Sequence, residues 1–138
     1  MVDKAPPLDP ELVQALVLNA HSDLDAVRGL LDREPALVNA AWDWGAGDWE
    51  TGLGAAAHMG RRDIATFLLD RGARLDLFAA AVLGELEIVL SILTAFPQLR
   101  DAAGPHGIPL LAHAEAGGEQ ARDVVEFLQA AAAPAPSG

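Results

Sequence analysis

Asp63-Ile64-Ala65-Thr66-Phe67-Leu68-Leu69-Asp70 is the stretch on which the fold turns, because its pattern returns three more times. It recurs as Asp25-Ala26-Val27-Arg28-Gly29-Leu30-Leu31-Asp32, as Glu87-Ile88-Val89-Leu90-Ser91-Ile92-Leu93-Thr94 and as Asp123-Val124-Val125-Glu126-Phe127-Leu128. Each copy opens on an acid, which suits the positive end of a helix, and each is amphipathic at helical spacing. The opening acids at 25, 63, 87 and 123 are 38, 24 and 36 residues apart. Pro35 and Pro97, in Glu34-Pro35-Ala36-Leu37 and Phe96-Pro97-Gln98-Leu99, keep the same register as terminators.

Ahead of each copy lies a shorter, Ala-rich apolar stretch: Leu12 to Ala20, Leu53 to His58, Leu77 to Leu83 and Leu110 to Ala116. Gly60, Gly84 and Gly117 stand in the turn between the two, with Ser22 at that place in the first unit. Glycine ends a helix readily because it enters the left-handed region without a Cβ clash. The spacing predicts four helix-turn-helix units, and small Ala side chains allow one unit to approach the next.

These residues resemble ankyrin repeats, in particular a small four-repeat domain of bacterial type. The second unit matches best, as Thr51-Gly52-Leu53-Gly54-Ala55-Ala56-Ala57-His58-Met59-Gly60 followed by Asp63 to Leu69 and Arg71-Gly72-Ala73-Arg74-Leu75-Asp76. The Pro and His of the family pattern are Gly52 and Gly54 here, and the fourth unit keeps Pro109 but lacks the Thr. The resemblance implies an all-α, ankyrin-like solenoid over residues 11–129. Its units are expected at about 11–39, 51–76, 77–101 and 108–129, after an N-terminal extension at 1–10 and before a flexible tail at 130–138. A gap of 24 residues leaves no room for a loop between units two and three. The wider gaps lengthen loops 40–50 and 102–107 into two fingers that flank a notch.

In ankyrin-like proteins partners are bound by the loop tips and by the variable residues that follow Ala-Ala. Carried onto this chain, the resemblance implies Trp42, Trp44, Asp48, Trp49 and Glu50 in the first finger and His106 in the second. Along the helix ends it implies His58, Met59, Val82 and Leu83. Trp42 and Trp49 are expected to fold over an open core, and Trp44 to be presented. His113, on an Ala-rich helix, is expected as a satisfied buried histidine. Arg61 and Arg62 are expected to pair with an acid of a neighbouring unit.

Composition bounds the function. The 138 residues fit one domain. Half are apolar, Cys is absent, and 20 acids oppose 9 bases for a net charge of -11. Such a surface repels phosphate backbones and anionic membranes, so no nucleic acid or membrane partner is expected. No basic stretch with an apolar segment behind it opens the chain and no apolar run nears membrane length, so a cytoplasmic location is expected. No catalytic motif such as a nucleophile elbow, an HExxH or a phosphate-binding loop is present, and Ser occurs only at 22, 91 and 137. The expected function is therefore a non-enzymatic interaction module for a protein partner with a basic or apolar segment. The chain is expected as a monomer, with homodimerisation through the same patch as the alternative. No cofactor or metal is expected, because His58 and His106 can approach across the notch but neither has a partner at a close metal spacing. The alternative function is small-ligand binding, of an organic cation or a metal, by the Trp and acid loop with the nearby His.

Overall fold

Among the described residues, four of the eight α-helices begin where a short polar side chain closes the first turn, which contributes about 1 kcal/mol per cap. Asp9 accepts from Glu11 N ahead of α1 (Pro10–Asn19), and Asp23 from Ala26 N ahead of α2 (Leu24–Arg33). Thr51 accepts from Gly54 N at the start of α3 (Gly52–His58), and Asp76 from Ala79 N at the start of α5 (Leu77–Leu83). The remaining helices are α4 (Arg62–Asp70), α6 (Leu86–Ala95), α7 (Leu110–Ala116) and α8 (Arg122–Ala132). The computed structural model describes residues 5–132. The tail read over 130–138 therefore lies, beyond Ala132, outside the described residues, as do the first four residues of the N-terminal extension.

The second helices begin at 24, 62, 86 and 122, and so repeat the 38, 24 and 36 spacing of the acids. Each buries an aliphatic pair one turn apart: Val27 and Leu31, Ile64 and Leu68, Val89 and Leu93, Val124 and Leu128. Each lies against the first helix of its own pair, and the first helices pack on one another in chain order, α1 on α3, α3 on α5 and α5 on α7. α3 is buried from Gly52 to Ala57 because it is covered from both sides, and its Gly and Ala residues allow so close an approach.

Two core clusters result, one centred on α1 to α4 and one on α5 to α8. Val82 joins the first cluster and is fully buried, which corrects its reading as a contact residue. Leu83 is half-buried against the same cluster. Arg62 caps the end of α5 through Leu83 O at 3.2 Å and Val82 O at 3.0 Å. The arginine pair thus finds neighbouring carbonyls rather than neighbouring acids, and Arg61 pairs with Asp63 two residues away.

The all-α expectation misses one element. Residues 41–51 form an antiparallel hairpin, β1 (Ala41–Asp43) with β2 (Trp49–Thr51), in the register Ala41 with Thr51, Trp42 with Glu50 and Asp43 with Trp49. Asp43 closes its turn by accepting from Gly45 N and Gly47 N. The second finger is held by a bridge between Ala103 and Pro109. Between hairpin and second finger, above the start of α5, lies a cleft of about 470 Å³ at the place of the expected notch.

Candidate functional site

Strand alternation decides which hairpin residues face inward. Trp42 and Glu50 stand opposite one another on the inner face. Trp49 points outward and is 61% exposed. The expectation for the tryptophans is thereby partly reversed. Trp42 and Trp44 pack against the core, and Trp49 is presented. Trp44 is tied down by its indole, which donates to Glu50 Oε1 at 2.9 Å.

Glu50 is a carboxylate with 1% exposure, and three imidazoles surround it. His21 Nε2 lies 3.2 Å from Oε1, His58 Nε2 lies 3.0 Å from Oε2, and His106 Nε2 lies 3.2 Å from Oε2. His21 follows α1 and His58 is the last residue of α3, so both crown first helices of neighbouring pairs. β2 brings Glu50 over them, and the second finger brings His106 from the other side. One ligand atom from each of the four lies within 4.8 Å of all the others.

The far side of two rings is fixed. His21 Nδ1 lies 2.9 Å from Val17 O and 3.0 Å from Leu18 O. A carbonyl only accepts, so Nδ1 carries a proton, and whenever the ring is neutral Nε2 turns its lone pair inward. His106 Nδ1 lies 2.7 Å from Asp48 Oδ2, and His106 N donates to Asp48 Oδ1 at 2.7 Å. His106 adopts φ +61° to make both contacts, a backbone region that costs a residue other than glycine of order 1–3 kcal/mol. Strain held by a specific carboxylate marks a built site.

Burial pushes Glu50 toward the neutral acid, but the nearness of His58, the Trp44 hydrogen bond and the His21 and His106 charges outweigh it and hold its pKa below the usual value. Burial likewise works to lower His106, and the Asp48 bond with the Glu50 and Asp48 charges overrides it and raises the pKa. The His106 backbone N–H is the largest influence lowering Asp48. Even so, His58 Nε2 and Glu50 Oε2 are sealed from solvent and face one another at 3.0 Å without an aligned hydrogen bond. Buried atoms so poorly paired are costly unless something else binds them.

A regular tetrahedron with metal bonds of about 2.0–2.1 Å has edges of about 3.3 Å. The two contacts to Glu50 Oε2, from His58 at 3.0 Å and His106 at 3.2 Å, are close to such edges, while the four ligand atoms as a set spread over up to 4.8 Å. Three imidazoles on one ion place their ring centres roughly 5 Å apart. Here His21 and His58 are 5.0 Å apart, His58 and His106 5.3 Å, and His21 and His106 6.3 Å. The donor set, nitrogen and carboxylate oxygen without thiolate, suits zinc and neighbouring divalent transition ions.

Of the residues expected from sequence, Glu50, His58 and His106 meet at this point, with Asp48 and Trp44 behind them. Met59 is 51% exposed just beyond His58, while Trp42 and Trp49 line a separate pocket with Leu8 and Val13. His21 was missed as a site residue, and it supplies the partner that His58 and His106 lack in the sequence. His113 is buried as expected, with Nδ1 on Pro109 O at 3.0 Å, but its Nε2 has no partner. No protein-family model matches the chain, and no curated relative is found.

Proposed function

We propose that this protein is a metal-binding domain that takes one divalent transition ion, zinc foremost, on Nε2 of His21, His58 and His106 and on a carboxylate oxygen of Glu50. The observation that carries this reading is the gathering of one ligand atom from each of these four side chains within 4.8 Å, with His58 Nε2 and Glu50 Oε2 buried and without an aligned hydrogen bond. The outer contacts support it, because metal-ligating histidines characteristically donate their other ring N–H to a carbonyl or carboxylate, as His21 and His106 do. Four protein ligands are what a structural or binding site requires, which favours a non-enzymatic role. The ion would staple the two fingers to the ends of α1 and α3. The scaffold that carries the site is read as an ankyrin-like array, supported by the repeat spacing and by pairs packing in chain order.

Protein capture is a second reading. It is favoured by the exposure of Trp49 and Met59 beside the site and by the acidity of the chain, which would steer a basic segment. In that reading the metal orders the surface that the partner meets.

Cobalt(II) tests the metal reading through its d–d absorption. One equivalent is expected to give the intense visible bands of a tetrahedral ion, displaced by zinc. The weak spectrum of hydrated cobalt persisting at equimolar protein would refute the reading.

A further inference from the structure

The cleft between the fingers is separate from the metal cluster and has a chemistry of its own. Its floor is Leu77 and Phe78, one wall is the hairpin with Trp49, and the other is Leu99 and Pro105 of the second finger. Two carboxylates border it, Asp48 and Asp76, and among the described residues no Lys, Arg or His lines it. Asp48 is already engaged with His106, so Asp76 is the carboxylate with charge to spare. Asp76 is exposed, and its Oδ1 accepts from Ala79 N at 2.8 Å. His113 packs on Phe78 behind the floor, and its burial lowers its pKa and so disfavours an opposing charge there.

We infer that this cleft is a binding site for a small organic ammonium ion, held by the faces of Trp49 and Phe78 and by the Asp76 carboxylate. Aromatic faces attract a cation through the ring quadrupole, and a ligand that sheds water against Leu77, Leu99 and Pro105 strengthens that attraction. A neutral ligand of the same shape would keep the apolar contact and lose the rest. An anion would meet two carboxylates in a chain of net charge -11.

The test is a titration of the full chain with choline and with 3,3-dimethylbutan-1-ol, its neutral carbon isostere, following the Trp49 indole N–H resonance. Choline is expected to shift that resonance saturably, and the alcohol to bind at least about tenfold more weakly. Asp76→Asn retains a side-chain oxygen that caps α5 while removing the charge, and is expected to weaken choline by a similar factor with the melt unmoved. Trp49→Leu, at an exposed position, is expected to weaken it further. Binding is expected with chelated and with zinc-loaded protein alike, so failure of the metal site leaves this test standing. A flat response to choline, equal binding of the alcohol, or full binding by Asp76→Asn would overturn the inference.

Discussion

Asp48 grips His106 twice, accepting from its backbone N at 2.7 Å with Oδ1 and lying 2.7 Å from its Nδ1 with Oδ2. The two residues are 58 positions apart and come from different fingers, so this single carboxylate closes the hairpin onto the second loop. It also sets which nitrogen of His106 faces Glu50.

Asp48→Asn keeps the shape and can still accept from the backbone, but it no longer holds the imidazole with a charge. Loss of such an outer partner typically lowers metal affinity 10–100-fold, and a loss of roughly that size is expected here. Competition titration with a chromophoric zinc chelator reads it, and unchanged affinity would show that His106 is oriented by something else.

His106→Gly removes a ligand and leaves glycine at φ +61°, a conformation it adopts freely. Zinc binding is expected to fall sharply and to return when free imidazole occupies the vacated place. Rescue distinguishes a missing ligand from a misfolded loop, because a misfolded loop would not respond to imidazole.

Acidity acts on the zinc-free protein through identifiable groups. The folded pKa of His106 is raised, so its contribution to stability is fully present below its unfolded value, about 6.5, and fades as pH rises through the folded value. Glu50 is lowered, so its contribution is present above about 4.3 and is lost as pH falls through the folded value. His113, pushed down by burial, works against His106 by weakening the fold as pH drops below about 6.5. Comparing wild type with His106→Gln isolates the first effect. The melting-temperature gap between them is expected to shrink from pH 6 to pH 9, and a gap that widens would contradict the assignment.

The helix array was legible in the sequence because helices are specified locally. The recurring acid, the aliphatic pair one turn apart and the turn glycines are all short-range signals, and the helix starts reproduce their spacing. The hairpin was less legible. Asp43, Gly45 and Gly47 carry the turn chemistry, but strands of three residues each gave too short an alternation to read. Val82 looked exposed in the register of one unit, and it is buried because α5 is packed against by α3 and α7 at once. The cluster around Glu50 was illegible as a motif, since His21, Glu50, His58 and His106 share no local spacing. Only stacking the units puts His21 beside His58, and the hydrogen bond of Trp44 to Glu50 had no sequence signature.

Two glycines test the packing. Gly84 turns between α5 and α6 at φ +76°, and a Cβ there would run into Gln120 O of the next unit. Gly84→Ala is expected to destabilise by more than about 1 kcal/mol, through strain at positive φ and displacement of that backbone. Gly29 sits inside α2 with open space around it, so Gly29→Ala is expected to stabilise by about 0.5–1 kcal/mol. Urea denaturation of both variants reads the two signs together.

The most direct measurement is calorimetric titration of zinc into chelator-treated protein, run on wild type and on His21→Gln, Glu50→Gln, His58→Gln and His106→Gln in turn. One ion per chain is expected, with affinity reduced by every one of the four substitutions. The melting temperature is expected to rise with zinc by the amount linkage requires, about 4 kcal/mol at a thousandfold excess over the dissociation constant. Absence of stoichiometric binding, or binding that survives the loss of any two of these side chains, would contradict the assignment of the cluster as a metal site.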